Sequence, residues 1–201
     1  MFAYEKRLQF PVKIKKTNPN IAKLIISQYG GPDGELSAST RYLAQRYSMP
    51  DKRVGGLLTD IGVEELNHLE MICAMIYQLT RDLNEEDLKT AGFDAYYIDH
   101  TKGLYPQAAA GVPFTALELQ SKGDPITDLF ENLAAEQKAR TVYDNLLRVI
   151  EDPDVRAPLK FLRAREIVHF QRFGEALETT KEGLEAPNFY FKNIAFDKKS
   201  V

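Results

Sequence analysis

Residues 64–68 read EELNH and residues 165–169 read REIVH. The chain has three histidines, and two of them, His68 and His169, each follow a glutamate by one helical turn, Glu65 and Glu166. Residues three apart on an α-helix share a face, so each Glu-x-x-His pair can turn a carboxylate and an imidazole toward one cation. The motif alone is weak. Read singly, each glutamate is a surface residue and each histidine a hydrogen-bonded core residue.

The flanking pattern decides between these readings. From Val54 an apolar stripe runs through Leu57, Leu58 and Ile61, meets Glu65 and His68, and resumes at Ile72, Met75, Ile76 and Leu79. A second runs Leu129, Leu133, Glu136, Tyr143, Leu147, Ile150, and a third Leu159, Leu162, Glu166, His169, Phe173, Ala176. Each carries a carboxylate at a core position. In an antiparallel helical hairpin, residues equally distant from the turn lie at one level. Glu35 and Glu65 flank Pro50 symmetrically, and Glu136 and Glu166 flank Glu151, beside Pro153 of EDPD. Both hairpins therefore lift a lone glutamate and a Glu-x-x-His pair to a common height.

The expected fold is all-α: a ferritin-like four-helix bundle with one glutamate from each of two helices and one Glu-x-x-His from each of the others. Four buried carboxylates and two imidazoles without a cation would be prohibitively costly, whereas two divalent ions would neutralise and coordinate them. Oxygen and imidazole donors without thiolate favour manganese or iron. His100, in YIDHTK, has no such support and reads as a surface or loop residue.

Composition agrees with one globular unit. The chain has 201 residues, 44% of them hydrophobic, enough for a substantial single core. A net charge of -3 leaves no basic footprint for nucleic acid or an anionic membrane. No stretch reaches the roughly 18 apolar residues of a membrane span, and the first residues lack the apolar core of a secretory signal. An intracellular globular unit, not exported by a signal peptide, is the expectation. The single cysteine, Cys73, excludes an internal disulfide framework and a Cys-rich metal site; its apolar setting, MICAMIYQL, reads as a buried structural thiol.

Residues 1–19, with Pro11 and Pro19, read as an extended N-terminal arm, residues 20–183 as the bundle and residues 184–201 as a C-terminal arm. Helix is expected after Asn20, with Ile21, Leu24, Ile25 and Gln28 in register. The run GGPDG should break it, with Asp33 as a cap, before Leu36 and Leu43 resume the pattern. Residues 80–125, rich in glycine and proline, are too long for a tight turn and read as a crossover between helices 2 and 3.

LQFPVKI, QYGGPDGELSASTRYLAQRY, DIGVEELNHLEMI, GVPFTALELQSKGDPITDLFENLAAEQKAR and REIVHFQRFGEAL together resemble the manganese catalase family, and within it the short spore-coat, CotJC-like members. The resemblance spans most of the chain. It implies disproportionation of hydrogen peroxide at two manganese ions per chain, with Glu35 and His68 on one ion, Glu136 and His169 on the other, and Glu65 bridging. It implies that Glu166, which counting alone would make a ligand, is an outer-sphere proton or hydrogen-bond partner. Tyr42, two turns after Glu35, resembles the family's outer-sphere tyrosine. It further implies a homohexamer, and other spore-coat proteins as partners; both arms are expected to contribute contacts, because they carry aromatic residues such as Phe189, Tyr190, Phe191 and Phe196 without bundle periodicity.

The sequence departs from the family in two places. Ala135 stands where some members have arginine, and Gly56 accompanies Asp60 where longer members bind calcium, so no calcium is expected. A di-iron ferritin-like oxidase or peroxidase, and a structural spore-coat protein with weak activity, are the alternative readings.

Overall fold

A computed structural model of the chain describes residue 5 and residues 7–184. Eight α-helices follow in order among the described residues: α1 Pro19–Ile25, α2 Ser27–Gly30, α3 Glu35–Gln45, α4 Lys52–Thr80, α5 Glu85–Thr90, α6 Asp94–His100, α7 Pro125–Val149 and α8 Pro153–Glu182. The architecture is the expected four-helix bundle. Helices α3 and α4 form one hairpin and α7 and α8 the other; α4 packs on α8 and α3 on α7.

Local chemistry sets the hairpin turns. Asp51 caps α4 by accepting from Arg53 N, and Asp152 caps α8 by accepting from Asp154 N. Proline opens both α7 and α8, where its fixed φ suits the first turn and its missing N–H costs nothing.

The first bundle helix is broken as expected, in a different manner. It starts at Pro19, capped by Asn18, and runs as α1 and α2 before yielding at Gly31–Gly34. Asp33 does not cap α3. Gly34 occupies the cap position with no side-chain bond, while the Asp33 carboxylate lies 3.4 Å from Lys138 Nζ. Gly30 is there for close approach: a Cβ would lie 2.2 Å from the crossover backbone at Pro106 and Gln107.

Helix α3 buries a polar face, Glu35, Ser37, Ser39, Arg41, Tyr42 and Gln45, while Leu36 and Leu43 are only half-buried. Arg41, 1% exposed, donates from Nε to Leu119 O (2.8 Å) and from Nη2 to Glu118 O (2.7 Å). It thereby ties the end of the crossover to the bundle. The crossover also contains α5 and α6, whose short periods are hidden among its glycines and prolines. His100 ends α6, half-buried, stacked 4.2 Å from the Tyr105 ring.

Residues 7–18 lie extended along the protein's own α4. Ile14 N donates to Gln78 Oε1, Gln78 Nε2 to Val12 O, and Gln9 N to Asn67 Oδ1. Phe10 stacks on Phe161, and Val12 and Ile14 are buried. Of the expected C-terminal arm, only Leu184 lies within the described residues.

The core is two apolar slabs with a polar layer between them. On α4, Val54, Leu58 and Ile61 belong to one slab and Met71, Ile72, Met75, Ile76 and Leu79 to the other. On the antiparallel α8 the order reverses, Val155, Leu159 and Leu162 before Phe173, Ala176 and Leu177. Full burial of one aliphatic side chain stabilises by roughly 1.5–3 kcal/mol, so the slabs can carry a costly layer between them. On α7 the inner stripe is Ile126, Leu129, Asn132, Glu136, Ala139, Tyr143, Leu146 and Ile150; Leu133 and Leu147 are half-buried beside it. No helix among the described residues is long and apolar enough to cross a membrane.

Candidate metal centre

The polar layer holds all six residues expected from the hairpin levels. Glu35, Glu65, His68, Glu136, Glu166 and His169 are each at most 2% exposed. The imidazoles lie with ring centroids 5.5 Å apart, and both Nδ1 atoms face the carboxylates. His68 Nδ1 is 2.6 Å from Glu65 Oε2, 3.7 Å from Glu35 Oε2 and 3.9 Å from Glu166 Oε1. His169 Nδ1 is 2.7 Å from Glu65 Oε1 and 3.6 Å from Glu136 Oε2. Glu65 thus sits between the two rings, one oxygen toward each.

Two buried phenols complete the layer. Tyr42 donates to Glu136 Oε1 and Tyr143 to Glu35 Oε1, so each hairpin's tyrosine holds the other hairpin's lone glutamate. A constant offset relates Glu35 to Glu136, Tyr42 to Tyr143, Glu65 to Glu166 and His68 to His169, as expected of two similar hairpins facing each other. Tyr143 was legible only as an apolar stripe residue. The spacing it shares with Tyr42 behind a lone glutamate was the available signal.

Charge in this layer is strongly coupled. Burial, then the Glu65 charge, pushes the Glu35 carboxyl up to about 7. Burial and the charges of Glu35, Glu65 and Glu136 raise Glu166 well above the carboxylate range. Burial also opposes charge on Glu65, but His169 and His68 outweigh it and hold that carboxyl far below its usual value. Both imidazoles are raised, since Glu65 and its neighbours overcome the burial that disfavours their charge. Burial, followed by Glu136 and Glu35 respectively, drives the phenols of Tyr42 and Tyr143 well above their ordinary range.

These residues fit a metal pair. Glu65 Oε1, Glu136 Oε2, Glu166 Oε1 and His169 Nδ1 are buried and make no hydrogen bond, although Glu65 Oε1 and His169 Nδ1 lie only 2.7 Å apart. Buried polar atoms are nearly always satisfied, so orphans converging on one space call for a ligand. Glu65, His68, Glu166 and His169 each offer one donor atom within 4.8 Å of the others. Glu35 and Glu136 add a carboxylate oxygen at each end.

The chain matches the family described as manganese containing catalase over residues 1–193. It belongs to that family. It is 56% identical to Protein CotJC of Bacillus subtilis (strain 168) over 182 residues, covering 90% of this chain and 96% of that protein. It is 37% identical to a probable manganese catalase of Clostridium acetobutylicum, covering 90% and 81% of the two chains. The crystal structure of KatB, a manganese catalase from Anabaena PCC7120, superposes with a TM-score of 0.83 at 33% identity, covering 89% of this chain and 80% of that one. As a family member the chain is a manganese enzyme acting on hydrogen peroxide.

A cavity reaches the layer from the side of α3 and α7. Its lining includes Gly34, Ala38, Ala135 and Ala139, with Glu35, Tyr42, Glu136 and Glu166 at its inner end. Ala135 is part of that lining. Glu64 was missed in the sequence. Its carboxylate accepts from Arg165 Nε at 2.6 Å and Nη2 at 3.2 Å, and lies behind both imidazoles. Gly56 and Asp60 are exposed on α4. Cys73 is half-buried rather than buried, and burial, then Glu70, pushes its thiol up to about 12, which keeps it protonated and inert.

In the metal-free protein, protons supply the positive charge that cations supply when bound, so metal binding must displace them. Below about 7 the Glu35 carboxyl holds a proton that manganese has to remove. The affinity of the metal-free protein for Mn²⁺ is therefore expected to fall as pH drops from about 8 to about 6, with net proton release. Calorimetric titration in two buffers of different ionisation enthalpy measures both; a flat affinity across that range would contradict the charge balance.

Proposed function

We propose that the chain disproportionates hydrogen peroxide at a dimanganese centre held by Glu35, Glu65, His68, Glu136 and His169, with Glu65 shared between the two ions. The observation that supports it most directly is the convergence of orphaned donor atoms from both hairpins in one buried layer, in a chain of this family. A manganese pair supplies the two-electron redox change by which one peroxide is reduced to water and another oxidised to oxygen.

The protein's own groups do the rest. Glu65 keeps its charge between the rings and ties the two halves of the site. Tyr143 and Tyr42 each occupy one oxygen of Glu35 and Glu136, which leaves the second oxygen facing the nearest imidazole and fixes its direction. Glu166 lines the cavity beside Glu35, Tyr42 and Glu136, where its carboxyl is placed to pass a proton to a departing oxygen and recover it later. The cavity is narrow, and its lining mixes small residues, Gly34, Ala38, Ala135 and Ala139, with Pro32, Asp33 and Arg41, which suits it to small polar molecules. Metal analysis of protein purified without added metal, together with oxygen release from peroxide, tests the proposal. Two manganese per chain with oxygen release is the expected result; two irons without it would point to a di-iron oxidase.

We further propose a homohexamer located in the spore coat. The location rests on the likeness to CotJC over nearly all of that protein. Assembly is supported by large exposed apolar side chains, Tyr47 and Leu117 at 81% and Ile98 at 77%. Light scattering at micromolar concentration is expected to give about six chain masses; a monomer would contradict it.

A further inference from the structure

We infer that Glu64 is a positioning residue shared by both histidines: one carboxylate, anchored by Arg165, accepts the Nε2–H of His68 and of His169 and so commits both rings to metal binding through Nδ1. The inference rests on the dimanganese reading above.

The geometry is specific. Glu64 Oε2 lies 3.1 Å from His169 Nε2 and Glu64 Oε1 lies 3.6 Å from His68 Nε2. Neither ring nitrogen has another hydrogen-bond partner, and neither contact has yet formed hydrogen-bond geometry. Both are fully buried, so each N–H needs an acceptor. A ligating imidazole generally donates its second N–H to a carboxylate or carbonyl, which sets its tautomer and orientation. Here one group serves two ligands.

The departure from internal symmetry says why. The offset that maps Glu65 onto Glu166 and His68 onto His169 maps Glu64 onto Arg165. A second glutamate there would place two anions behind the rings. Arginine instead forms a forked contact with Glu64 through Nε and Nη2, and the Glu64 side chain is 17% exposed. Arg165 therefore anchors the carboxylate with one oxygen turned toward each ring, 3.1 Å from His169 Nε2 and 3.6 Å from His68 Nε2.

The arrangement predicts graded, unequal effects on the two ions. In Glu64→Gln the amide has one acceptor oxygen and one donor nitrogen. It can accept from one Nε2–H only, and the amide N–H₂ facing the other ring favours the tautomer with the proton on Nδ1, which cannot ligate. One of two Mn²⁺ ions is expected to bind about 10–100-fold more weakly while the other keeps near wild-type affinity; Glu64→Ala should weaken both. Titration of metal-free protein with Mn²⁺, counting free ion by electron paramagnetic resonance, reads this. Nitrogen NMR of ¹⁵N-histidine protein loaded with Zn²⁺ gives a readout that loss of packing would not mimic. Both rings of the wild type should show metal-bound Nδ1 and protonated Nε2, and one ring of the glutamine variant should leave that state. If the wild type binds two Mn²⁺ and the isosteric glutamine variant binds both with unchanged affinity and unchanged ring signals, the inference is overturned and the dimanganese reading stands. If the wild type itself binds fewer than two, that reading fails.

Discussion

Replacing Glu65 with alanine is expected to empty the site of both metal ions. Glu65 is the residue whose two oxygens face different imidazoles, at 2.6 Å from His68 Nδ1 and 2.7 Å from His169 Nδ1, and it is fully buried. A ligand to one ion alone would leave the other bound when lost. A shared one removes negative charge and a donor atom from both, and leaves two buried imidazoles without their main counter-charge. Metal affinity should fall by more than about 100-fold for both ions, since even supporting groups around a ligand cost 10–100-fold. Oxygen release should fall to background. Glu65→Gln keeps the volume and one acceptor oxygen, and serves if the alanine variant does not fold. One full equivalent of tightly bound manganese in either variant would sink the bridging assignment.

The fold and most of the site were legible because both follow from distances along the chain. Apolar stripes interrupted at the same level identify helices that bury a polar layer, and the turns at Pro50 and Pro153 bring those levels together. Such a rule reaches only part of Glu64's setting. Its spacing of four residues from His68 places it beside that ring on α4, but its other partners, His169 and Arg165, belong to another hairpin. Arg41 and Gln45 were equally hidden, since a buried arginine bonded to crossover carbonyls and a glutamine bonded to Asn132 at 2.7 Å look like surface residues until the tertiary structure supplies acceptors. Asp33 failed as a cap for a local reason. Gly34 already has the extended backbone that a cap position needs, and Lys138 on α7 offers the Asp33 carboxylate a cation.

Internal symmetry and family resemblance assign Glu166 different roles, and a single substitution separates them. By position it is the counterpart of Glu65, and its Oε1, 3.9 Å from His68 Nδ1 and without a hydrogen bond, suits a ligand. Two properties set it apart. Glu166 lies at the inner end of the cavity, where Glu65 does not. In the metal-free protein burial and three neighbouring carboxylates push its carboxyl well above the usual range, whereas the imidazoles hold Glu65 far below it. A carboxyl that lines the cavity beside the donor layer is placed to carry protons, and general acid–base groups typically contribute about 10²–10⁴-fold to turnover. Glu166→Gln should therefore retain about two manganese ions per chain while oxygen release falls by about that factor. Glutamine preserves shape and hydrogen-bonding capacity, so the loss would report the missing proton. Metal content falling in step with activity would make Glu166 a ligand and bring the centre closer to a di-iron oxidase. Unchanged metal content with unchanged activity would remove the proton role, and the shuttle would then have to be sought at Tyr42, the other acidic group lining the cavity whose proton is held by burial and by Glu136.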